Sequence, residues 1–406
     1  MPRKIYVEAY GCTQEKSETG LYINSIMEEG DSITSDPKEA DIRVIGTCVV
    51  IGKTERKMIQ RIGELSNFGN TKVIGCLPPT SSGVLKEKNV DLITPSEFRD
   101  LYRGKIDDIE IKETSILDGI PINQGCTGNC NFCISRIARG KLLSRHPEKI
   151  VNQVSMILDR GVREIRISSL DTAAYGLDIG TSLDKLVKTL TCIPEDFKLR
   201  VGMMEPKNTE KIIDGLIDSY RSEKVFKFMH LPVQDGDDRI LQLMNREYTV
   251  DSYYMINNRF KEEFPDSVFS TDIIVGYPGS DEESFQSTVD LLYKSRPDIV
   301  NITTFSPRQF TRDFNKKTLP SNNVKKWSAE YSRIHKEMIR ENYEKLIGTV
   351  REIMITEDGR RETSVGRDDA YRPVVIPGKM EKFTKIQCEI VETGPTYLIG
   401  KPLVTA

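Results

Sequence analysis

The sequence predicts an α/β protein with three parts: an N-terminal parallel-sheet α/β domain, a central partial β/α barrel, and a small antiparallel β-barrel at the C-terminal side. Three observations lead to this fold class. The chain has 406 residues, well beyond the ~150 of an ordinary domain. Strand and helix patterns alternate up to about residue 307, and mainly short β-rich pieces close the chain. We therefore place the domains at residues 1–112, 113–344 and 345–406.

The composition is that of a globular protein from a reducing compartment. Hydrophobic residues make up 38% and charged residues 29% of the chain, enough for a substantial core and a solvated surface. No apolar run reaches the ~18 residues of a membrane span, and MPRKIYVEAYG opens directly into a strand pattern. We therefore expect a cytoplasmic protein with no membrane partner. Clustered cysteines in such a protein are typically metal ligands or catalytic thiols.

The net charge of −3 argues against indiscriminate nucleic-acid binding, but it averages over two basic stretches. Residues 134–151 carry five Lys or Arg against one Glu, and residues 307–351 carry eleven against five acidic residues. A solvated face and a nucleic-acid face remain equal alternatives for both stretches.

In the first domain, strand patterns at KIYVEAY, DIRVIGT and KVIGC alternate with helical patterns near residues 17–29 and 53–67. This βαβαβ series predicts a small parallel sheet. Cys12, Cys48 and Cys76 each stand where one of these strands ends. Because the carboxyl ends of parallel strands share one edge, we expect the three thiols to converge there. The alternative is that each is a small core residue, as isolated cysteines often are.

In the second domain, six strand patterns with amphipathic helices between them predict a partial or complete parallel barrel, whose site lies at the carboxyl ends of the strands. The patterns are GIPINQ, REIRISS, KLRVGMM, KFMHLPV, VFSTDIIVGYP and IVNITTF. The loop after the first strand holds Cys126, Cys130 and Cys133 in a C-x3-C-x2-C spacing. A basic helical segment near residues 322–346 leads to five short strand patterns, which predict an OB-like barrel of a kind often used on nucleic acids.

Three thiolates in one loop leave a metal site one ligand short, because a tetrahedral ion or a cubane cluster takes four. Zinc is the main alternative, but structural zinc sites are closed by a fourth Cys or His, and the nearest histidine is His146. A 4Fe-4S cluster with one non-cysteine iron fits better. That iron is free to chelate the amino and carboxylate groups of a small molecule, and an electron from the cluster can then cleave a sulfonium bond.

The spacing, with an aromatic residue just before the last cysteine in CNFC, resembles the radical S-adenosylmethionine (SAM) superfamily. The segments GTCVVIGKTERK and VIGCLPP resemble the methylthiotransferases within it, and the resemblance covers essentially the whole chain. It implies that Cys12, Cys48 and Cys76 hold a second 4Fe-4S cluster, the auxiliary cluster. It also implies that the C-terminal barrel is a tRNA-binding TRAM domain.

Further segments are most similar to the archaeal and eukaryotic branch: SSLDTAAYGLDIGTSLDKLV, LRVGMMEP, HLPVQDGDDRIL, MNREYT and TDIIVGYPG. This branch converts N6-threonylcarbamoyladenosine at tRNA position 37 to its 2-methylthio derivative, so the resemblance implies that substrate here. The sequence departs from the family at Gly46 and Gln14, where Asn is common. Such changes alter the hydrogen bonds around the auxiliary cluster and leave its ligands in place.

The chemistry agrees with this assignment. Carbon 2 of an adenine is unactivated, and no side chain removes its hydrogen as a proton near neutral pH, so a radical route is required. In such a route one cluster reduces SAM to a 5'-deoxyadenosyl radical, and the other presents a sulfur atom, methylated from another SAM, to the activated carbon. The protein mainly positions and shields these groups, and it depends on an electron donor protein and a sulfur source. His146, His230 and His335 form no evident acid-base group.

The family's SAM contacts come from the strand ends of the barrel. Here the resemblance points to Ser168, Ser169, Asp171, Glu205, Gln234 and Asp272, each of which alone is equally an ordinary loop cap. Gly276 and Gly279 are expected to allow a tight turn. Arg139 and Arg145 are expected to meet the SAM carboxylate or a tRNA phosphate, with a solvated surface arginine as the alternative.

The tRNA is expected to bind through phosphate contacts, with the target base extruded into the cleft between the clusters. Candidate contacts in the tail, with plain surface charge as the alternative, are Arg360, Arg361, Arg367, Arg372 and Lys385. Cys192 and Cys388 have no partner by spacing and are assigned to packing. Two other functions remain open: a methylthiotransferase acting on a ribosomal protein aspartate, and a non-catalytic iron-sulfur or zinc tRNA-binding module.

Overall fold

The computed structural model of the 406-residue chain describes residues 1–49, 52–104, 112 and 119–403. The predicted boundary between residues 112 and 113 falls in a stretch that is mostly outside the described residues. The chain forms two compact units. Unit 1 comprises Met1–Arg160, Arg166–Leu190 and Ser306–Lys316, and unit 2 comprises Gly161–Ile165, Thr191–Phe305 and Lys317–Ala406.

Unit 1 begins with a parallel five-stranded sheet in the order β2-β1-β3-β4-β5. Its strands are β1 (Lys4–Ala9), β2 (Ser32–Thr34), β3 (Ile42–Thr47), β4 (Thr71–Gly75) and β5 (Asp91–Ile93). The connecting helices are α1 (Thr13–Ile26), α2 (Gly52–Ser66), α3 (Leu77–Lys86) and α4 (Pro95–Gly104). The predicted βαβαβ series is confirmed, and β3 is buried along its whole length, as the centre of a parallel sheet requires. The edge strands β2 and β5 were not predicted, because three residues give too short a pattern.

The rest of unit 1 continues from β6 (Ile120–Pro121) and β7 (Asn123–Gln124) through α5 (Ile134–Arg139), β8 (Leu143–Ser144) and α6 (Pro147–Asp159). It then includes part of β9 (Glu164–Ser168), a 3-10 turn (Thr172–Ala174) and most of α7 (Leu183–Thr191). The predicted strand GIPINQ is therefore split into two short strands. β6 pairs in parallel with β9, and β7 pairs antiparallel with β8. Both pairings hold the cysteine loop that follows β7.

Unit 2 contains the remaining predicted barrel strands: β10 (Lys198–Val201), β11 (Phe228–His230), β12 (Val268–Val275) and β13 (Ile299–Thr304). β11, β12 and β13 form a parallel sheet. The helices of this unit are α8 (Pro206–Tyr220), α9 (Asp238–Leu243), α10 (Val250–Glu263), α11 (Glu282–Ser295) and α12 (Ser321–Glu344). α12 confirms the helix predicted near residues 322–346. No helix of the described chain is both long and apolar enough to span a bilayer.

The chain closes with a five-stranded barrel in the order β14-β15-β16-β18-β17. Its strands are β14 (Val350–Asp358), β15 (Thr363–Arg367), β16 (Pro373–Pro377), β17 (Lys385–Thr393) and β18 (Leu398–Pro402). The barrel confirms the predicted one except in one pairing, because β16 and β18 run parallel. Five strands cannot alternate direction around a closed ring, so one neighbouring pair must run parallel.

The two remaining cysteines behave differently. Cys388 lies in the barrel core, as predicted, and burial raises the pKa of its thiol to about 11. The assignment of Cys192 to packing was wrong, because its side chain is exposed after α7.

We expect Ile376→Ala to destabilise the barrel by about 2–5 kcal/mol, because Ile376 is fully buried in its core and the change leaves a cavity. Hydrogen exchange of barrel peptides measures the loss without interference from other domains. Val391→Ala, at an exposed position of β17, is the control and should change the exchange by less than about 0.5 kcal/mol. Equal effects of the two changes would contradict the assigned core.

Candidate active site

The three isolated cysteines lie at the carboxyl edge of the N-terminal sheet. Cys12 and Cys76 directly precede α1 and α3, and Cys48 directly follows β3. The three strands that lead to them, β1, β3 and β4, are neighbours in the sheet. The thiol of Cys12 is close enough to those of Cys48 and Cys76 for their charges to interact. The sheet therefore brings together thiols that are far apart in the sequence.

Gly11 permits this close approach. Its φ is +108°, a conformation that residues with a side chain rarely adopt. A Cβ atom at this position would lie 2.7 Å from the Cβ of Cys48. A glycine before Cys12 is therefore needed to place the first two thiols next to each other.

A buried arginine joins α5 to the same edge. Arg139 is the last residue of α5, and its Nε donates a hydrogen bond to the Sγ of Cys76 at 3.1 Å. Its two terminal nitrogens pair with the carboxylates of Glu15 and Glu18. All three charged side chains are at most 2% exposed. Burial alone would lower the pKa of the guanidinium, but the neighbouring thiol and carboxylates raise it well above its ordinary value.

The same burial acts on the acidic members of this group. Burial raises the pKa of Glu15 to about 8, with the charge of Glu18 adding to the rise and Arg139 opposing it. Burial also raises the pKa of the Cys76 thiol, again against the effect of Arg139. A thiolate at Cys76 therefore depends on Arg139 both for charge and for a hydrogen bond.

The C-x3-C-x2-C loop connects β7 to α5. Gly125, directly before Cys126, has a φ of +76°, and a Cβ atom there would collide with the carbonyl of Lys141. Within the loop, the backbone N–H of Cys133 donates to the carbonyl of Cys130 at 3.2 Å. All three cysteines are half-buried. The glycine and this turn fix a compact loop whose thiols remain accessible.

Both cysteine sets suit an iron-sulfur cluster. Each contains three thiols, and an N–H group reaches a sulfur in each: Gly128 donates to Cys126 at 3.2 Å, and Arg139 donates to Cys76. Among the described residues, no three His, Cys, Asp or Glu side chains are arranged to hold a single metal ion. Cysteine thiolates are the usual ligands of iron-sulfur clusters, and three of them in each set match that donor type.

The SAM candidates of unit 1 are buried and bonded within the unit. Ser168 donates to the side-chain oxygen of Gln14 at 3.1 Å. Asp171 receives a hydrogen bond from the backbone of Ala173 at 3.1 Å, and its own backbone N–H donates to Ser169 at 3.1 Å. Asp171 therefore caps the turn that follows β9, as the alternative to SAM binding expects. Ser168 instead links the barrel strand β9 to α1.

Neither arginine expected to meet the SAM carboxylate or a phosphate is solvated. Arg139 is engaged by the two carboxylates described above. Arg145 is 2% exposed and donates to the carbonyl of Pro121 at 3.1 Å and to the side chain of Gln153 at 2.7 Å. The geometry assigns both guanidinium groups to pairing inside unit 1.

In unit 2, Glu205 and Gln234 lie at strand ends, as the sequence predicted. Glu205 directly precedes α8, and its carboxylate lies 3.4 Å from Arg246, which is also buried. Gln234 has a φ of +74°, and its backbone N–H donates to the carbonyl of Asp272 at 2.8 Å. Both residues are therefore held by neighbouring strands and helices rather than by flexible loops.

Asp272 belongs to a polar group that the sequence analysis missed. Its Oδ1 lies 2.9 Å from Nε2 of His230 and accepts a hydrogen bond from Asn301 at 2.8 Å. Burial would raise the pKa of Asp272, but these two neighbours outweigh it and hold the pKa below its ordinary value. The signal for His230 was its place near the end of the strand pattern KFMHLPV. Its partner Asp272 lies 42 residues away on the neighbouring strand, so no local pattern connects the two.

Three of the five basic tail candidates, including the exposed Lys385, are paired with acidic side chains inside unit 2, and the other two are exposed arginines. Arg372 is buried between Asp368 and Asp266, at 2.9 and 3.0 Å. Arg367 pairs with Glu357 at 2.7 Å, and Lys385 pairs with Asp196 at 2.6 Å. The exposed pair is Arg360 and Arg361, in the turn between β14 and β15.

Comparisons with known proteins agree with these features. The Radical SAM superfamily matches residues 120–292, the family described as "Uncharacterized protein family UPF0004" matches residues 4–94, and the TRAM domain matches residues 344–403. A "Probable threonylcarbamoyladenosine tRNA methylthiotransferase" of Pyrococcus abyssi is 37% identical over 98% of this chain and 99% of its own length. The chain belongs to the threonylcarbamoyladenosine tRNA methylthiotransferase family.

Other members of the family are similar over the same span. The Methanocaldococcus jannaschii relative is 36% identical over 97% of this chain and 96% of its own length. The human "Threonylcarbamoyladenosine tRNA methylthiotransferase" is 27% identical over the whole of this chain and 75% of its own length. The predicted resemblance to the archaeal and eukaryotic branch is confirmed.

Solved structures confirm the predicted fold class. The radical SAM methyltransferase TsrM of Kitasatospora setae, with cobalamin and a [4Fe-4S] cluster bound, has a TM-score of 0.56 at 10% identity, over 77% of each chain. The cobalamin-dependent SAM radical enzyme OxsB has a TM-score of 0.51 at 11% identity, over 84% of this chain and 56% of its own. At these identities the likeness concerns the fold alone.

The two departures from the family pattern contact the buried ion group. Gln14 donates to Glu18 at 2.6 Å and to the carbonyl of Asn123 at 3.2 Å. Gly46 packs against Thr19, and a Cβ atom at this position would collide with the hydroxyl of Thr19. Asn therefore does not fit at position 46 of this chain while Thr19 holds its place.

We expect Arg139→Met to cost about 3–5 kcal/mol of stability at neutral pH, because it leaves the buried acidic side chains of Glu15 and Glu18 without their cation. Burial raises the folded-state pKa of Glu15 from 4.5 to about 8, so its contribution to stability is full below pH 4.5 and is lost as the pH rises through 8. Arg139 opposes that rise, so Glu15 should ionise at a higher pH in the variant than in the wild type, and the deficit of the variant should grow as the pH rises through about 8. Hydrogen exchange of α1 and α5 peptides in the metal-free protein measures it.

The matched control is Arg333→Met. Arg333 also pairs with two glutamates, Glu330 and Glu337, but on the exposed side of α12. Its loss should cost much less stability than the loss of Arg139 and show little dependence on pH, because exposed ion pairs contribute little. Similar losses from the two arginines would contradict a special role for the buried group.

Proposed function

We propose that this protein is a tRNA methylthiotransferase that converts N6-threonylcarbamoyladenosine at position 37 to its 2-methylthio derivative. The observation that carries the proposal is the presence in one unit of two separate three-cysteine sets, joined by the side chain of Arg139. A radical reaction that also inserts sulfur needs two such sites. The names of the full-length relatives supply the substrate.

The proposed cofactors are two 4Fe-4S clusters and SAM. Cys126, Cys130 and Cys133 would hold the cluster that binds SAM, and Cys12, Cys48 and Cys76 would hold the auxiliary cluster. When bound, these groups supply the reducing electron, the radical and the transferred sulfur. The chain itself fixes the six thiols: Gly125 and Gly11 permit the loop and the strand-end approach, and the guanidinium of α5 donates to one sulfur.

The proposed SAM contacts in unit 2 are Glu205, Gln234 and Asp272. The carboxylate of Asp272, held ionised by His230, is placed to accept hydrogen bonds from hydroxyl or amino groups. In unit 1, Ser168, Ser169 and Asp171 are the further proposed SAM contacts: Ser169 and Asp171 bond within the turn after β9, and Ser168 bonds to Gln14 of α1. Arg139 contacts Cys76, and its proposed role is to support the auxiliary cysteines rather than to bind SAM.

The proposed division of labour follows the three domains, at residues 1–112, 113–344 and 345–406. The first would hold the auxiliary cluster, the second the SAM-binding cluster, and the TRAM barrel the tRNA through cations such as Arg360 and Arg361. We further propose a cytoplasmic enzyme that receives electrons from a donor protein and sulfur from a separate source, because neither is regenerated by SAM cleavage itself.

Nucleoside mass spectrometry tests the reaction. Expressed in a strain whose tRNA lacks the 2-methylthio derivative, the protein should convert threonylcarbamoyladenosine to that derivative. Cys48→Ala and Cys130→Ala should each abolish the product, because each removes a ligand from one set. Cys192→Ala, at an exposed cysteine outside both sets, should leave it unchanged. If threonylcarbamoyladenosine stays unmodified and a ribosomal protein is methylthiolated instead, the substrate is the ribosomal protein and not tRNA.

Metal analysis tests the cofactors independently of the substrate. Anaerobic reconstitution should give about eight irons per chain, and about four in Cys48→Ala or Cys130→Ala. The loss should be equal for the two variants, since each set holds one cubane. Zinc without iron would favour the non-catalytic tRNA-binding module.

A further inference from the structure

A short segment of unit 1 combines exposed aromatic rings with positive charge. We call residues 306–316, which follow β13, the aromatic strap. Phe310 and Phe314 are 60% and 44% exposed, and three cations stand among them against one acidic residue. Aromatic rings interleaved with cations are typical of surfaces that bind single-stranded nucleic acid, where bases stack on the rings.

The aromatic strap is hydrogen-bonded to residues near Cys48 and to the C-x3-C-x2-C loop. Arg308 donates to the carbonyl of Val49, which follows Cys48, and pairs with Glu55 at 2.8 Å. Arg312 donates to the side chain of Asn131, inside the C-x3-C-x2-C loop, at 3.2 Å. These contacts hold the aromatic strap against the segment that follows Cys48 and against the C-x3-C-x2-C loop.

A cavity of about 220 Å³ opens at the same place. Three of its lining residues each adjoin a different cysteine. Val49 follows Cys48, Ile134 follows Cys133, and the hydroxyl of Thr80 donates to the carbonyl of Cys76 at 3.1 Å. The cavity is therefore lined by residues that adjoin both cysteine sets.

The size and lining of the cavity suit a single base. It is smaller than the ~300–1,000 Å³ of sites for drug-sized ligands. Phe314 and Pro307 offer apolar surface, and the amide of Gln309 offers a donor and an acceptor of the kind that reads adenine edges. Arg308 also lines the cavity, and among the described residues its buried Nε has no hydrogen-bond partner.

We propose that this cavity receives the extruded adenine of the tRNA, with Phe314 stacked on that base and Phe310 stacked on a neighbouring base of the loop. The inference rests on the function proposed above, since only a base attacked at carbon 2 has to meet both cysteine sets. Carbon 2 is out of reach while the base stays stacked, so the enzyme must take the base out of the loop. The aromatic strap replaces the stacking that the base loses.

The test uses the reconstituted full-length protein and an anticodon stem-loop RNA with 2-aminopurine at position 37, whose fluorescence reports unstacking from the neighbouring bases. The wild-type protein should change this fluorescence on binding. Phe314→Ala should abolish the change and weaken binding about tenfold, as expected for one lost base–aromatic contact. Phe310→Ala should weaken binding by a similar factor and keep the change.

Two controls separate stacking from folding. Phe314→Tyr keeps an aromatic ring and should behave as wild type. Phe68→Ala removes another exposed phenylalanine of unit 1, outside the aromatic strap, and should have no effect. Wild-type binding and fluorescence in Phe314→Ala would overturn the inference, and so would loss of binding in Phe314→Tyr equal to that in Phe314→Ala.

The failure of this inference is distinguishable from failure of the proposed function. If the wild-type protein methylthiolates tRNA and Phe314→Ala does so equally well, the base site is wrong and the function stands. If the wild-type protein makes no product but shows Phe314-dependent extrusion, the base site stands and the function is wrong. A third outcome is that Phe314→Ala keeps the fluorescence change of 2-aminopurine but no longer supports multiple turnovers. This outcome would identify the cavity as an entry for sulfur and would overturn the inference.

Discussion

The position of one guanidinium group organises the chemistry of unit 1. Three parts of the chain meet at Arg139, which ends α5. Helix α1 supplies its two carboxylate partners, and Cys76, directly before α3, supplies the sulfur that it contacts. Removing charged groups from water is expensive, and an ion group of this kind gives little net stability compared with apolar packing. Its value here is geometric, because a displaced α5 would leave two buried acidic side chains without their cation. The group thereby links the position of Cys76 to the helix that follows Cys133.

Much of this arrangement was predictable from local patterns. The strands that end at Cys12, Cys48 and Cys76 show as apolar runs, and the rule that parallel strands share a carboxyl edge brings the three thiols together without further information. The C-x3-C-x2-C loop was equally visible, because its ligands are adjacent in the chain. The ion group was not, since Arg139 lies 124 residues from Glu15 and no periodic pattern connects them. The same limit hid the partnership of His230 and Asp272, which are 42 residues apart on neighbouring strands.

The role of individual basic residues was the hardest property to predict from the sequence. Arg372 and Lys385 looked like candidates for tRNA phosphates, but their partners Asp266 and Asp196 are 106 and 189 residues away in sequence. A basic residue shows its role only when the acidic residues facing it in space are known. The reverse applies to residues 306–316, which appeared in the sequence as part of a long basic stretch. The fold assigns this segment to unit 1, where Phe314 lines a cavity together with Val49 and Ile134.

The collision expected at Gly46 has a consequence for exchanging segments between relatives. The hydroxyl of Thr19 fills the space that a side chain at position 46 would need, and it is held there by a hydrogen bond to the backbone carbonyl of Glu15. A single Gly46→Asn exchange would therefore force the side chain of Thr19 to move and to give up this hydrogen bond. A chimera that brings a side chain to position 46 should accordingly exchange residue 19 with it.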